Sequence, residues 1–188
     1  MIRDLSLGEL QSLCIKATRG AGRAVGTAED AGHAVRWLCA RGLAGAEALV
    51  ALLRATDGMA NAALVGALPG AMQVDQGALC PLALGGYLSD IDLVPEGRIG
   101  PVYAPLLLRP FLDHLPPYGI DIMSESASHT PQVIQMIHRE TACPAVHSRA
   151  QISDETLAVL QGLAARTYAP ETALRRAEGA GAGLSDND

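Results

Sequence analysis

The segment R-G-A-G-R-A-V-G-T, residues 19–27, sets Arg19 and Arg23 beside Gly20, Gly22 and Gly26 where one helical pattern gives way to the next. N–H groups at a helix start lack internal acceptors and carry partial positive charge. A glycine-bearing turn there, with guanidinium groups alongside, is a physical recipe for holding a carboxylate or phosphate. Arg19, Gly20, Gly22 and Arg23 therefore form a candidate anion site, with Arg36 as a further cation. The glycines are not spaced as in a dinucleotide-binding turn, and a helix rather than a strand precedes them. The plainer alternative is an interhelix turn with two solvated arginines.

Glu29 and His33 lie four residues apart and Arg36 follows by three, so all three share a helical face. A carboxylate that orients an imidazole is the minimal general-base arrangement; the alternative is an exposed stripe of weak charge pairs. Cys80 precedes Pro81, which holds its backbone extended and out of a helix interior. A cysteine at the end of an element serves as a nucleophile if a nearby base generates the thiolate. His129, His138 and His147 are available for that, unplaced by the sequence. The alternative for Cys80, and for Cys143 before Pro144, is a buried packing residue. Glu29, His33 and Cys80 make up the candidate catalytic set. His129, His138, Cys143 and His147 do not form the two close pairs of a structural zinc site. No metal is assigned, and the sequence names no cofactor. Near the C-terminus, Arg166 and Tyr168 precede a glycine-rich tail ending in Asp186, Asn187 and Asp188. Asp186 and Asp188 are candidate ligand contacts if the tail folds over a pocket or docks on a partner subunit. The alternative is a solvated terminus.

The elements that must position these groups are clearest at the two ends of the chain. Ser6 followed by Glu9 is a capping box, and Leu7, Leu10, Leu13, Cys14 and Ala17 recur at helical spacing behind it. Gly20, Gly22 and Gly26 should end that helix. Thr27 should cap a second one, with Glu29 and Asp30 in its first turn and Ala31, Ala34, Val35, Leu38 and Cys39 on its apolar side. Gly42 suits the left-handed position after that helix, and a third helix is expected from Ala44 to about Thr56. Residues 58–150 hold ten of the eleven prolines and no long helical period. Short segments at 98–108, 119–124 and 142–148 read as strands, 78–88 as a segment broken by a Gly85-Gly86 turn, 106–115 as holding a helical turn, and 133–137 as strand or helix. Ser153 should cap a last helix with Asp154 and Glu155 in its first turn, stopping by Pro170. The expected class is α+β: three N-terminal helices, a small, mainly antiparallel central sheet and a C-terminal helix in one domain over 1–188, divided as 1–57, 58–150, 151–178 and a tail at 179–188.

Hydrophobic residues make up 49% of the 188, enough for one core of ordinary size. The formal net charge of −6 disfavours a nucleic-acid or anionic-membrane partner. No apolar run is long enough to span a bilayer, and the opening MIRDLSLGEL has no secretory pattern, so a cytoplasmic location is expected. Of the four cysteines, Cys14 and Cys39 sit in apolar helical patterns and read as buried small hydrophobes.

Two stretches resemble a bacterial domain-of-unknown-function family, numbered 3726. They are ATRGAGRAVGTAEDAGHAVRWL at 17–38 and ARTYAPETALRRAEGAGAGLSDND at 165–188; G-A-L-C-P-L at 77–82 is also similar. In that family a similar R-G-A-G segment opens the chain and G-A-G-A-G-L-[ST]-D-N-D closes it. The resemblance implies one domain over nearly the whole length and no particular reaction. A fainter similarity of the opening helices is to the malate and lactate dehydrogenase family that lacks a Rossmann fold, but its G-H-x-x-H-G stretch is missing and no catalysis is carried over.

The residues together suggest a small-molecule enzyme acting on a carboxylate-bearing, anionic substrate. The alternatives are an accessory protein that binds a partner or forms a homo-oligomer through its tail and, less in keeping with the charge, a helix-turn-helix regulator.

Overall fold

A computed structural model describes residues 1–59, 77–91, 97–113, 119–121, 130–137 and 146–168. Both ends of this stretch have the same plan: a short strand, a serine cap, then a helix. Strand β1 (Ile2–Ser6) leads into α1 (Leu7–Gly20), and strand β5 (Arg149–Ser153) leads into α6 (Asp154–Ala165). The strands pair antiparallel, from Ile2 opposite Ser153 to Ser6 opposite Arg149. The capping box is present: Ser6 Oγ accepts from the Glu9 amide at 3.2 Å and Glu9 Oε2 accepts from the Ser6 amide at 2.9 Å. Ser153 Oγ likewise accepts from the Thr156 amide at 3.0 Å. Charge pairs lace this ribbon, Arg3 to Asp154 at 2.6 Å and Arg149 to Asp4 at 2.7 Å. The β1–β5 pairing escapes sequence reading because β1 is mostly exposed and shows no apolar alternation.

Between these ends come α2 (Val25–Ala40) and α3 (Gly45–Ala55). With α1 and α6 they enclose the larger core, which includes Leu10, Cys14, Val35, Leu38, Leu49, Leu53, Ile152 and Leu160. The expected start of α2 is corrected. The helix begins two residues before Thr27, its N-cap is Ala24 without a side-chain cap bond, and its first turn holds no acidic residue. Gly26 is therefore inside α2 rather than at the end of α1, and Glu29 and Asp30 lie one turn in. No hydroxyl is needed at position 24 because tertiary burial of Ala28, Ala31 and Val35 fixes the helix.

The middle of the chain is more helical than its prolines suggest. Helix α4 (Pro81–Ile91) runs straight through Gly85 and Gly86, so the expected turn there is corrected. A Cβ on Gly85 would meet the Phe111 ring, 2.9 Å from Cδ1, so the glycine admits an aromatic ring rather than breaking the chain. Strand β2 (Gly97–Val102) gives way to a 3₁₀ turn (Pro105–Leu108) and the one-turn helix α5 (Arg109–Leu112). Strands β3 (Gly119–Asp121) and β4 (Gln132–Ile137) complete an antiparallel sheet in the order β2-β4-β3, which settles 133–137 as strand. Leu79, Leu84, Leu88, Ile99, Val102, Leu108, Leu112 and Ile134 form a second apolar cluster between this sheet and α4. The α+β class holds. No described helix is long and apolar enough to cross a membrane.

Candidate functional site

The turn between α1 and α2 is shorter than the glycines suggest, and its amides are largely engaged. Gly22, at φ 82°, sends its N–H to the Arg19 carbonyl at 2.9 Å, and the Arg23 N–H reaches the Thr18 carbonyl at 3.2 Å. These are the two bonds of a Schellman motif, in which the chain returns to cap the carbonyls of the helix it has just left. Gly20 is the last residue of α1 and lies against the backbone of Leu163 in α6, where a Cβ would collide with the Leu163 carbonyl group. Arg23 is only 8% exposed. Its Nη2 donates to Thr56 O at 2.7 Å and Thr56 Oγ1 at 2.6 Å, and its Nη1 donates to Met59 O at 3.1 Å. The guanidinium thus caps the C-terminus of α3, the negative end of that helix. Arg19 stays exposed at the end of α1. Of the expected anion site, Arg19, Gly22 and Arg36 face outward, as does the first turn of α2, which has no side-chain cap, while Arg23 is buried.

Glu29, His33 and Arg36 do share an exposed stripe of α2, and Arg36 Nη1 donates to Gln11 Oε1 at 3.1 Å. Beside that stripe, burial pushes the Asp30 carboxyl up, against the opposing pull of His33. Cys80 sits immediately before α4 and is 4% exposed. Its position is fixed by a bridge in which the Leu79 N–H reaches Pro101 O at 2.8 Å and the Tyr103 N–H reaches Leu79 O at 3.0 Å. Burial pushes its thiol up, partly offset by the Ala83 and Leu82 amides and by the charge of Arg23. Cys80 and Arg23 are therefore electrostatic neighbours, as one site would require. Glu29 and His33 are solvent-facing, whereas Cys80 is enclosed. Asp186, Asp188, His129, His138 and Cys143 lie outside the described residues. Among the described residues no group of three or more His, Cys, Asp or Glu is arranged to hold a metal ion.

The structure brings together a different set. A cleft of about 690 Å³ opens between the α2–α3 turn and β5, lined by Cys39, Gly42, Glu47, His147 and Arg149 among others. Each is placed by a recognisable local cause. Gly42, at φ 71°, closes a second Schellman turn, with its own N–H to Cys39 O and the Leu43 N–H to Leu38 O, both at 3.0 Å. This reverses the chain within four residues, so the start of α3 faces the end of α2. Cys39 lies in the last turn of α2, with its sulfur against the N-terminus of α3. Burial pushes its thiol up, the Ala46 and Gly45 amides pull it down, and the Glu47 carboxylate adds a smaller upward push. The approach requires glycine at 45, where a Cβ would lie 3.3 Å from Cys39 Sγ and 2.8 Å from Leu38 Cβ.

His147 comes from the other end of the chain. Its N–H is held by Ala40 O at 2.6 Å, and its imidazole lies over Gly42, with Nε2 3.6 Å from where a Cβ would stand. Glu47, in the first turn of α3, accepts from Thr156 Oγ1 at 3.4 Å. Arg149, paired with Asp4, supplies a half-exposed cation on β5, next to Gln151. The cleft therefore holds a thiol, an imidazole, acidic groups and a guanidinium. Cys39 reads from sequence as an apolar helix residue, and nothing local links it to residues more than a hundred positions away.

Residues 5–67, about a third of the chain, match the family model described as a protein of unknown function, DUF3726, the family that the sequence resembles. No curated protein and no solved structure matches the chain.

Proposed function

We propose that this chain is a small-molecule enzyme whose substrate carries a carboxylate and binds in the cleft between the α2–α3 turn and β5. The observation that carries this reading is the convergence of Cys39, Glu47, His147 and Arg149 on one concavity of about 690 Å³. A concave site with a few convergent polar groups is the default location for small-molecule chemistry. Arg149 is the natural partner of the substrate carboxylate, because guanidinium binds carboxylate through two parallel hydrogen bonds. Its existing contact with Asp4 is a half-exposed pair of small net worth, which a ligand can replace. Glu47 and Asp4 suit an amino group on the same ligand, so a compact amino acid or amino-acid derivative fits the mixed charge of the lining.

The test is thermal unfolding against a panel of amino acids and short mono- and dicarboxylic acids. A ligand present at ten times its Kd stabilises by about 1.4 kcal/mol, a rise of about 3–6 °C in Tm for a chain of this size. At least one panel member should produce that rise, and Arg149→Gln should abolish it. A panel without effect, or an Arg149→Gln response equal to that of the unmodified chain, overturns the reading.

A further inference from the structure

Resting on that reading of the cleft, we infer that Cys39 is a nucleophile activated by His147, and that the reaction is acyl transfer through a thioester. Two features of the placement separate Cys39 from the other described cysteines. It lines a cavity, whereas Cys14 and Cys80 line none of those described. And an imidazole borders the same cavity, held through its own backbone to the last residue of α2 one position after Cys39. Burial pushes the Cys39 and Cys80 thiols up, each against the pull of two backbone amides, and pushes the Cys14 thiol far up.

The step balances without any further reactant except water. The Cys39 thiol gives its proton to the His147 imidazole, and the sulfur attacks the carbonyl carbon of an ester or amide in the bound substrate. The carbon–oxygen or carbon–nitrogen bond breaks, and the leaving alcohol or amine departs with the proton from the imidazolium. Water then attacks the thioester, with His147 taking its proton, and the carboxylic acid leaves as Cys39 recovers its hydrogen. The net change is hydrolysis: substrate and water give an acid and an alcohol or amine. Cys39 is enclosed at 7% exposure, so the attack is open only to a group that has entered the cleft. The substrate class is thus a small carboxylate-bearing amide or ester, held by Arg149 with its reactive carbonyl towards the α2–α3 turn.

Iodoacetamide labelling of the folded chain, followed peptide by peptide by mass spectrometry, tests the assignment without knowing the substrate. Cys39 should be alkylated at least about tenfold faster than Cys14 or Cys80, and His147→Gln should slow Cys39 by about tenfold or more while leaving the other two unchanged. Equal rates for Cys39 and Cys14, or an unaffected rate in His147→Gln, overturn the nucleophile. The two readings fail separately. A panel ligand that still raises the Tm of Cys39→Ser, combined with an inert Cys39, leaves the cleft as a binding site and removes the thioester. A reactive, His147-dependent Cys39 in a chain that no panel ligand stabilises keeps the nucleophile and removes the carboxylate-bearing ligand.

Discussion

Three glycines that the sequence groups into one anion-binding turn stand in three different physical situations, and replacing each by alanine should give three different results. Gly26 lies inside α2 with open space where a Cβ would go. Alanine there restricts the unfolded chain and meets nothing, so Gly26→Ala should stabilise by about 0.5–1 kcal/mol. Gly22 also has open space, but its φ is 82°. An L side chain in the left-handed region costs about 1–2 kcal/mol, so Gly22→Ala should destabilise by that amount. Gly20 ends α1, where alanine gains at most about 1 kcal/mol of helix preference. Its Cβ would be driven into the carbonyl group of Leu163, 2.8 Å from the carbon and nearer still to the oxygen. The obstacle is backbone and no rotamer relieves it, so α1 and α6 must part where they now touch. Overpacking costs about 1–3 kcal/mol when side chains can yield, and the upper end applies here. Gly20→Ala should therefore lose about 2–3 kcal/mol net. Urea unfolding measures all three, with the m-value checked for constancy. A Gly20→Ala variant as stable as the parent chain would refute the packing argument.

Arg23→Met removes two hydrogen bonds to Thr56 at the end of α3 and one to Met59 O, and leaves the buried Thr56 hydroxyl and carbonyl short of a charged donor; a loss of about 3 kcal/mol in urea unfolding is expected, and a loss below about 1 would mean the guanidinium is not a cap. Ala24→Asp supplies the missing N-cap acceptor of α2 at a residue already extended, with φ −59° and ψ 156°, and should raise stability by about 1 kcal/mol, read by the same unfolding curves. Acid should weaken the fold through Glu9, Asp57 and Asp154, whose carboxyls are held below their ordinary values of 4.5, 3.8 and 3.8 by bonds from Ser6, Arg166 and Arg3 respectively. A depressed carboxyl adds stability that is complete above its unfolded value and lost as the pH falls through the folded one, so the loss should set in below about pH 4.5 and be smaller in Asp57→Asn; parallel curves for the two chains would contradict the Arg166 pairing.

What was legible in the sequence follows from the range of the interactions involved. The capping box at Ser6, the serine cap at 153 and the left-handed glycine at 42 are decided within five residues, and all three stand as read. The start of α2 is not legible locally: Thr27 is a good local cap, yet the buried face of the helix reaches back to Ala28 and carries the first turn with it. Gly85-Gly86 looks like a turn in the sequence, and only the Phe111 ring that occupies the space explains the pair inside a helix. The candidate site shows the same limit in sharper form. Arg19 and Arg23 are close in sequence, and that closeness suggested a shared ligand, but one lies at the surface while the other is turned inward to serve the next helix. Cys39 and His147 are distant in sequence and meet at one cleft because β5, held against β1, also packs beside α2 and the His147 N–H reaches Ala40 O. Spacing along the chain reports chemistry only when a single element carries it. Here the two halves of the proposed catalytic pair sit at the end of α2 and just before β5, so only the tertiary contact between those elements brings them to one cleft.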